Sequence, residues 1–222
     1  MTLNMEPENQ ELLIEGARTF GIRLNEIQGE AFDLYLRELL KWNQKINLTA
    51  IRSEKGIVLK HFLDSLSVTP HLPKTASLLD IGSGAGFPGI PLKIVLPSLG
   101  ITLIDSVQKK IDFQRHITRR LGLKGVEVIH GRVQDKDILH KMTGRFDAVI
   151  SRAFSDLETF GQLAFPFLRK GGTLLAMKGE VDQEEMGLLL RGEKTRYRLR
   201  RIASFFLPQS SIKRSILLFE KG

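Results

Sequence analysis

Asp80, Gly82, Gly84, Gly86 and Gly89 fall within one stretch, LLDIGSGAGFPGIP over residues 78–91. Three glycines alternating with small residues make a turn whose backbone takes angles closed to other residues. Such a turn also lets a ligand approach the main chain without meeting a Cβ. A second apolar run, Ile101-Thr102-Leu103-Ile104, ends in Asp105, about twenty residues past the glycines, where nucleotide-binding units place the acid that holds a ribose diol. Gly84-x-Gly86-x-x-Gly89 formally matches the dinucleotide fingerprint, a weak signal by itself. Asp80 discriminates. A carboxylate two residues before the first glycine repels a pyrophosphate and attracts an ammonium. S-adenosylmethionine has that ammonium, a ribose for Asp105 and no phosphate. The stretch therefore reads as an S-adenosylmethionine site, against the alternative of a glycine turn that binds nothing.

The elements that must position these residues follow from hydrophobic spacing. From Ser77 the pattern alternates: a strand over 77–82, a helix over about 88–96, a strand over 101–105 and a long amphipathic helix over 107–121. Strands over 126–130 and 146–152 follow, then a helix around 157–168 and a fifth strand over 173–178. Strand, helix, strand in that order predicts an α/β, doubly wound, mostly parallel sheet with right-handed crossovers. Candidate strands near 200–207 and 215–220 are too close for a crossover helix and would finish the sheet as an antiparallel hairpin, making seven strands. Ligands of such sheets sit beyond the carboxyl ends of the strands. Those ends carry Asp80–Gly86, Asp105-Ser106, Val133-Gln134-Asp135, Arg152-Ala153-Phe154 and Lys178-Gly179. Gln134 or Asp135 would meet the adenine. Arg152 and Phe154 would stand next to the transferred methyl, with Phe154 either stacking a target base or buried in the core.

Residues 1–75 read as a helical extension packed on this core, and 76–222 as the domain that binds S-adenosylmethionine. Leu12, Leu13, Ala17 and Phe20 share one face of a helix over 8–20, and Asn25 caps a second that ends near Trp42. Trp42 and Lys45 lie in a polar, basic stretch. They either touch an RNA backbone or an unstacked base, or Trp42 plugs the interface with the main domain. Ser53 caps a further helix on which His61 and Asp64, three apart, share a face and would form a hydrogen-bonded pair that steadies the cofactor pocket. A metal site needs more ligands, and none is expected.

The net charge of +8 is uneven. Residues 1–75 carry 9 Lys and Arg against 10 Asp and Glu, and residues 76–222 carry 24 against 15. A basic catalytic half suits a polyanionic partner. Lys194, Arg196, Arg198 and Arg200 recur every second residue and would line one side of an extended strand, as a phosphate-binding stripe or as solvated edge charges. There are no cysteines, which excludes disulfides, thiolate metal sites and cysteine nucleophiles. No apolar run reaches membrane-spanning length, the first ten residues do not resemble a signal peptide, and a cytoplasmic protein is expected, taken as a monomer.

Absences narrow the reaction. Covalent methylation at C5 of a pyrimidine needs a cysteine. Transfer to an exocyclic amine usually pairs an Asn/Asp-Pro-Pro-aromatic motif with strand four, where this chain has Ser151-Arg152-Ala153-Phe154. With no general base standing out, a nucleophile that needs no deprotonation fits, and guanine N7 is one. The chain resembles the bacterial small-subunit rRNA guanine-N7 methyltransferase family, also called glucose-inhibited division protein B. The likeness spans nearly the whole chain. It rests on Trp42-Asn43, Lys45, Asn47-Leu48-Thr49, His61–Ser65, residues 80–91, Asp105-Ser106, Lys109-Lys110, Ser151-Arg152-Ala153 and Lys178-Gly179. The resemblance implies a Rossmann-like class I methyltransferase fold, S-adenosylmethionine as donor, and a guanine of the 16S rRNA decoding region in the small ribosomal subunit as acceptor. It also implies donor contacts at Gly82, Phe87, Val133, Gln134 and Arg152. Val133-Gln134 departs from the family's usual alanine-glutamate.

Overall fold

A computed structural model describes residues 5–72, 76–152, 156–181 and 197–221. Seven strands form one sheet: β1 (Ser77–Ile81), β2 (Gly100–Asp105), β3 (Val126–His130), β4 (Phe146–Ser151), β5 (Leu168–Lys178), β6 (Tyr197–Phe206) and β7 (Lys213–Lys221). Their order is β3-β2-β1-β4-β5-β7-β6. The first five run parallel, and β7 inserts antiparallel between β5 and the edge strand β6. After β3 the chain returns to place β4 on the other side of β1, so the crevice where crossovers diverge opens at the tips of β1 and β4.

The central strands are apolar on both faces because helices cover both faces. Leu78, Leu103, Ile150 and Leu175 belong to one core cluster, and their neighbours Leu79, Ile104, Val149 and Leu174 to the other. Helix α5 (Gly89–Val95) and α6 (Gln108–Arg120) pack on the first side, whereas α7 (Lys136–Met142) and α8 (Leu157–Ala164) contribute to the second. The first side is shared with the N-terminal helices α1 (Pro7–Thr19) and α2 (Glu26–Asn43). Asn25 caps α2 in a reciprocal box with Gln28. Phe32, Tyr35, Leu36 and Leu39, at helical spacing, bury its inner face.

Several elements differ from expectation. The helix after Ser53 is not uniform: α3 (Glu54–Ile57) passes into a π-helical segment, Val58–Leu63, and then into α4 (Asp64–Leu66). Helix α7 was not expected, because its apolar face is only Ile138, Leu139 and Met142. Strand β5 starts at Leu168 instead of Thr173, with the register slipping opposite Phe146 and Ala148 and Gly171 taking φ +73°. Among the described residues no helix is long and apolar enough to cross a membrane.

Candidate active site

The three glycines after β1 all have positive φ, +70° at Gly82, +60° at Gly84 and +97° at Gly86. Beyond that shared conformation they serve different ends. A Cβ on Gly84 would meet only the Gly82 carbonyl, at 3.9 Å, so its face is open. A Cβ on Gly86 would run into Ile90 and come within 2.9 Å of the Tyr35 hydroxyl. Gly84 leaves room for a ligand, whereas Gly86 allows close packing. The loop is pinned to β2, because Gly82 N–H and Ser83 N–H both donate to the Ile104 carbonyl, at 2.9 and 3.1 Å.

Two carboxylates and one amide fix this loop further. Asp80 is fully buried, and its Oδ2 accepts from Gly89 N–H at 2.9 Å at the start of α5. Its Oδ1 is buried with no partner among the described residues. Burial pushes the Asp80 carboxyl well above the usual range, against the Gly89 N–H and the Arg152 charge, with nearby Asp105 adding to the rise. Asp105 accepts from Gly84 N–H through Oδ2 and from Val107 N–H through Oδ1, both at 2.9 Å. It thus joins the loop to the start of α6, and each oxygen keeps a second lone pair. Gln114 was missed by sequence reasoning: from α6 its Nε2 donates to Ser83 Oγ at 2.8 Å and to the Gly84 carbonyl at 2.7 Å. No sequence signal marks it, since one glutamine on a basic helix looks solvated.

Arg152, at the tip of β4, meets the segment after Ser53. Its guanidinium donates to the Lys60 carbonyl at 3.0 Å, to Asp64 Oδ2 at 3.3 Å and to His61 Nδ1 at 3.1 Å. Asp64 Oδ1 accepts from Arg214 Nε of β7 at 2.9 Å. His61 and Asp64 thus meet through Arg152 and not as the directly bonded pair expected, because the Arg152 guanidinium occupies both, and two arginines share one buried carboxylate. The Phe87 ring is stacked between His61, 4.5 Å between centroids and 11° between planes, and Tyr35, at 5.2 Å and 17°. Arg152 Cζ lies 5.4 Å from the Phe87 centroid, within cation–π reach. Tyr35 donates to the Ala85 carbonyl at 2.6 Å, and burial raises its pKa well above that of free tyrosine.

At the tip of β3, Val133 is buried and Gln134 exposed. Asp135 Oδ2 instead accepts from Arg132 N–H at 2.8 Å, so of the two adenine candidates the acid holds its own turn. Ser106 is exposed, and its carbonyl faces His130 Nε2 at 3.1 Å. Lys178 ends β5, half-buried. Trp42 belongs to α2 and packs on Phe113 and His116, at centroid distances of 5.5 and 4.9 Å. That is the geometry of the plug between α2 and α6. Asn43 organises the following turn by accepting from Leu48 and Thr49 N–H and donating to the Thr49 carbonyl, and Lys45 is exposed. Of the arginine stripe, only Arg198 and Arg200 lie among the described residues, and both are exposed. The β6–β7 register shifts between Leu199 and Arg201, so the two-residue alternation stops at Arg200, which pairs with Glu220. Arg198 is exposed, and Phe154, Lys194 and Arg196 lie outside the described residues.

A family model described as rRNA small subunit methyltransferase G matches residues 28–215. The chain belongs to that family. Ribosomal RNA small subunit methyltransferase G of Geobacter metallireducens is 43% identical over 215 residues, covering 96% of this chain and 97% of that one. Its counterpart in Acetivibrio thermocellus is 40% identical over 217 residues, covering 96% and 88%. Solved structures at lower identity share the fold. A SAM dependent methyltransferase from Aquifex aeolicus matches with TM-score 0.57 at 19% identity, over 75% of this chain and 93% of that one. A Burkholderia thailandensis 1,6-didemethyltoxoflavin-N1-methyltransferase matches with TM-score 0.55 at 18% identity, over 71% and 76%. The protein is an S-adenosylmethionine-dependent methyltransferase. The site fits that donor on two counts, the unpartnered buried oxygen of Asp80 and the open face of Gly84.

Proposed function

We propose that this enzyme methylates N7 of a guanine in the decoding-region loop of 16S rRNA, by in-line transfer without a general base or covalent intermediate. When bound, S-adenosylmethionine supplies a methyl group activated for direct displacement. We assign Asp80 to its ammonium, Asp105 and Ser106 to the ribose, and Val133 with Gln134 to the adenine. Gly82, Gly84, Gly86 and Phe87 shape the floor, and Arg152 faces the acceptor base together with Phe154.

One observation carries the choice of acceptor atom. Among the described titratable groups around Arg152, the His61 lone pair is committed to Arg152, Asp64 to two arginines and the Tyr35 hydroxyl to a carbonyl, and the free Oδ1 of Asp80 is assigned above to the donor ammonium. None of these is poised to take a proton. Guanine N7 needs none removed, so holding its lone pair in line suffices. The basic surplus of residues 76–222 suits an RNA substrate, with Lys45, Lys178 and Arg198 as candidate phosphate contacts. We read residues 1–75 as an extension that frames the site and 76–222 as the catalytic domain, acting in the cytoplasm where ribosomal subunits are found.

The test supplies methyl-labelled donor with small ribosomal subunits lacking the modification, then digests the RNA and identifies the labelled nucleoside. Label in 7-methylguanosine is the expected result. Label in another nucleoside would overturn the N7 assignment, and donor binding without transfer to RNA would overturn the substrate.

A further inference from the structure

The π-helical segment Val58–Leu63 builds a socket for one side chain. In a regular α-helix the Asp64 N–H would take the Lys60 carbonyl. Here it turns to the carbonyls of Leu59 and His61, and the Lys60 carbonyl accepts from Arg152 Nη1 instead. The widened turn thus presents three acceptors to one guanidinium: the Lys60 carbonyl, His61 Nδ1 and Asp64 Oδ2. A guanidinium only donates, so His61 Nδ1 must carry the lone pair and Nε2 the proton. Thr49 Oγ1, 2.8 Å from Nε2, is placed to accept that proton while also accepting from Ile51 N–H at 3.1 Å. The opposite constraint on the ring is its stacking on Phe87, which joins the glycine loop to α5.

We propose that His61 is a positioning residue for methyl transfer: a neutral acceptor, aimed by Thr49, that sets the orientation in which Arg152 meets the acceptor base. This rests on the functional reading above, in which Arg152 faces that base. The competing role is a buried ring that only fills space against Phe87. His61→Phe separates the two, because it keeps a ring on Phe87 and removes the acceptor.

The experiment compares initial rates on unmodified small ribosomal subunits with donor affinity by calorimetry, the fold being checked by thermal unfolding. His61→Phe should lower kcat by about 10- to 100-fold, the scale of a displaced contact near the reacting atoms. Donor Kd and RNA KM should stay within about threefold of wild type. Thr49→Val should lower the same parameter less, and Thr49→Ser should recover it. That pair decides the matter if His61→Phe does not fold. Wild-type kcat in His61→Phe, or no difference between Thr49→Val and Thr49→Ser, would overturn the proposal. So would a loss confined to donor affinity, which would make His61 a support of the cofactor loop. Wild-type enzyme that labels a nucleoside other than 7-methylguanosine would refute the functional reading instead, a distinguishable failure.

Discussion

The two oxygens of Asp80 stand in different surroundings, and two substitutions separate the structural role of one from the donor-binding role proposed for the other. Asp80→Ala removes both oxygens and leaves Gly89 N–H, buried at the start of α5, without its acceptor. An unpaired buried N–H costs about 1–3 kcal/mol, which in a chain of this length lowers Tm by about 2–4 °C per kcal/mol. Asp80→Asn has the same shape. Its amide oxygen can still take the Gly89 N–H, and the buried charge disappears, so the fold should hold or gain slightly. What Asp80→Asn loses is attraction for a cation at the Oδ1 position, where an NH2 would now point. Loss of a hydrogen bond between charged groups is about 1.5–3 kcal/mol, or roughly 10- to 150-fold in donor Kd. S-adenosylhomocysteine keeps the ammonium and lacks the sulfonium charge, so its affinity should fall by the same factor. Calorimetry of both ligands against both variants, beside thermal unfolding, measures each effect. Protonation adds a sign. Burial raises the folded pKa of Asp80, so its contribution to unliganded stability is full below the unfolded pKa and lost as pH rises through the folded one. A cationic ligand favours the ionised form, so donor affinity should rise with pH through the same window, and Asp80→Asn should abolish that rise. Wild-type donor affinity in Asp80→Asn would refute the reasoning.

Three further outcomes are expected. Burial, then the neighbouring Arg152 charge, lowers the His61 pKa from 6.5 to about 3. Its contribution to stability is therefore full above the unfolded value and lost as pH falls between them. Unfolding free energy followed by denaturant titration should fall across that acid range, less steeply in His61→Phe, and equal slopes would contradict a buried neutral ring. Gln114→Ala removes two hydrogen bonds to the glycine loop at a cost of about 1 kcal/mol each. Donor affinity should weaken with it, and calorimetry showing no change would mean the loop holds without Gln114. Alanine at Lys194, Arg196, Arg198 and Arg200 together should flatten the salt dependence of RNA binding. Arg200→Ala alone should leave the slope near wild type because Glu220 already neutralises that charge, whereas Arg198→Ala should reduce it by about 1 if Arg198 meets a phosphate.

Much of the scaffold was legible because its signals are local. Alternating strands and helices, the glycine turn, the acid ending β2 and the closing hairpin were all expected and are present. The elements misjudged depend on partners distant in sequence. Helix α7 has only three apolar residues to mark it, and β5 runs through a glycine pair because pairing with β4 outweighs the glycine cost. The segment after Ser53 scores as a plain helix, since apolar spacing does not distinguish a π turn from an α turn. The bulge of β6 was missed for a similar reason: a register shift opposite β7 cannot be foreseen from one strand's own alternation.

The sequence alone pointed to the donor, because Asp80, the glycines and Asp105 are read from backbone conformation and charge within two adjoining strand ends. It also determined a seven-stranded, mostly parallel sheet and the concentration of positive charge in residues 76–222. Only the tertiary structure decided what surrounds Arg152. Thr49, His61, Asp64, Arg152 and Arg214 come from the N-terminal segments, β4 and β7, and up to 150 residues separate one bonded pair. Their meeting depends on sheet order and on a widened helical turn, neither of which any short stretch encodes. The same holds for Asp80, whose charge is visible in the sequence but whose raised pKa and unpartnered oxygen arise from complete burial.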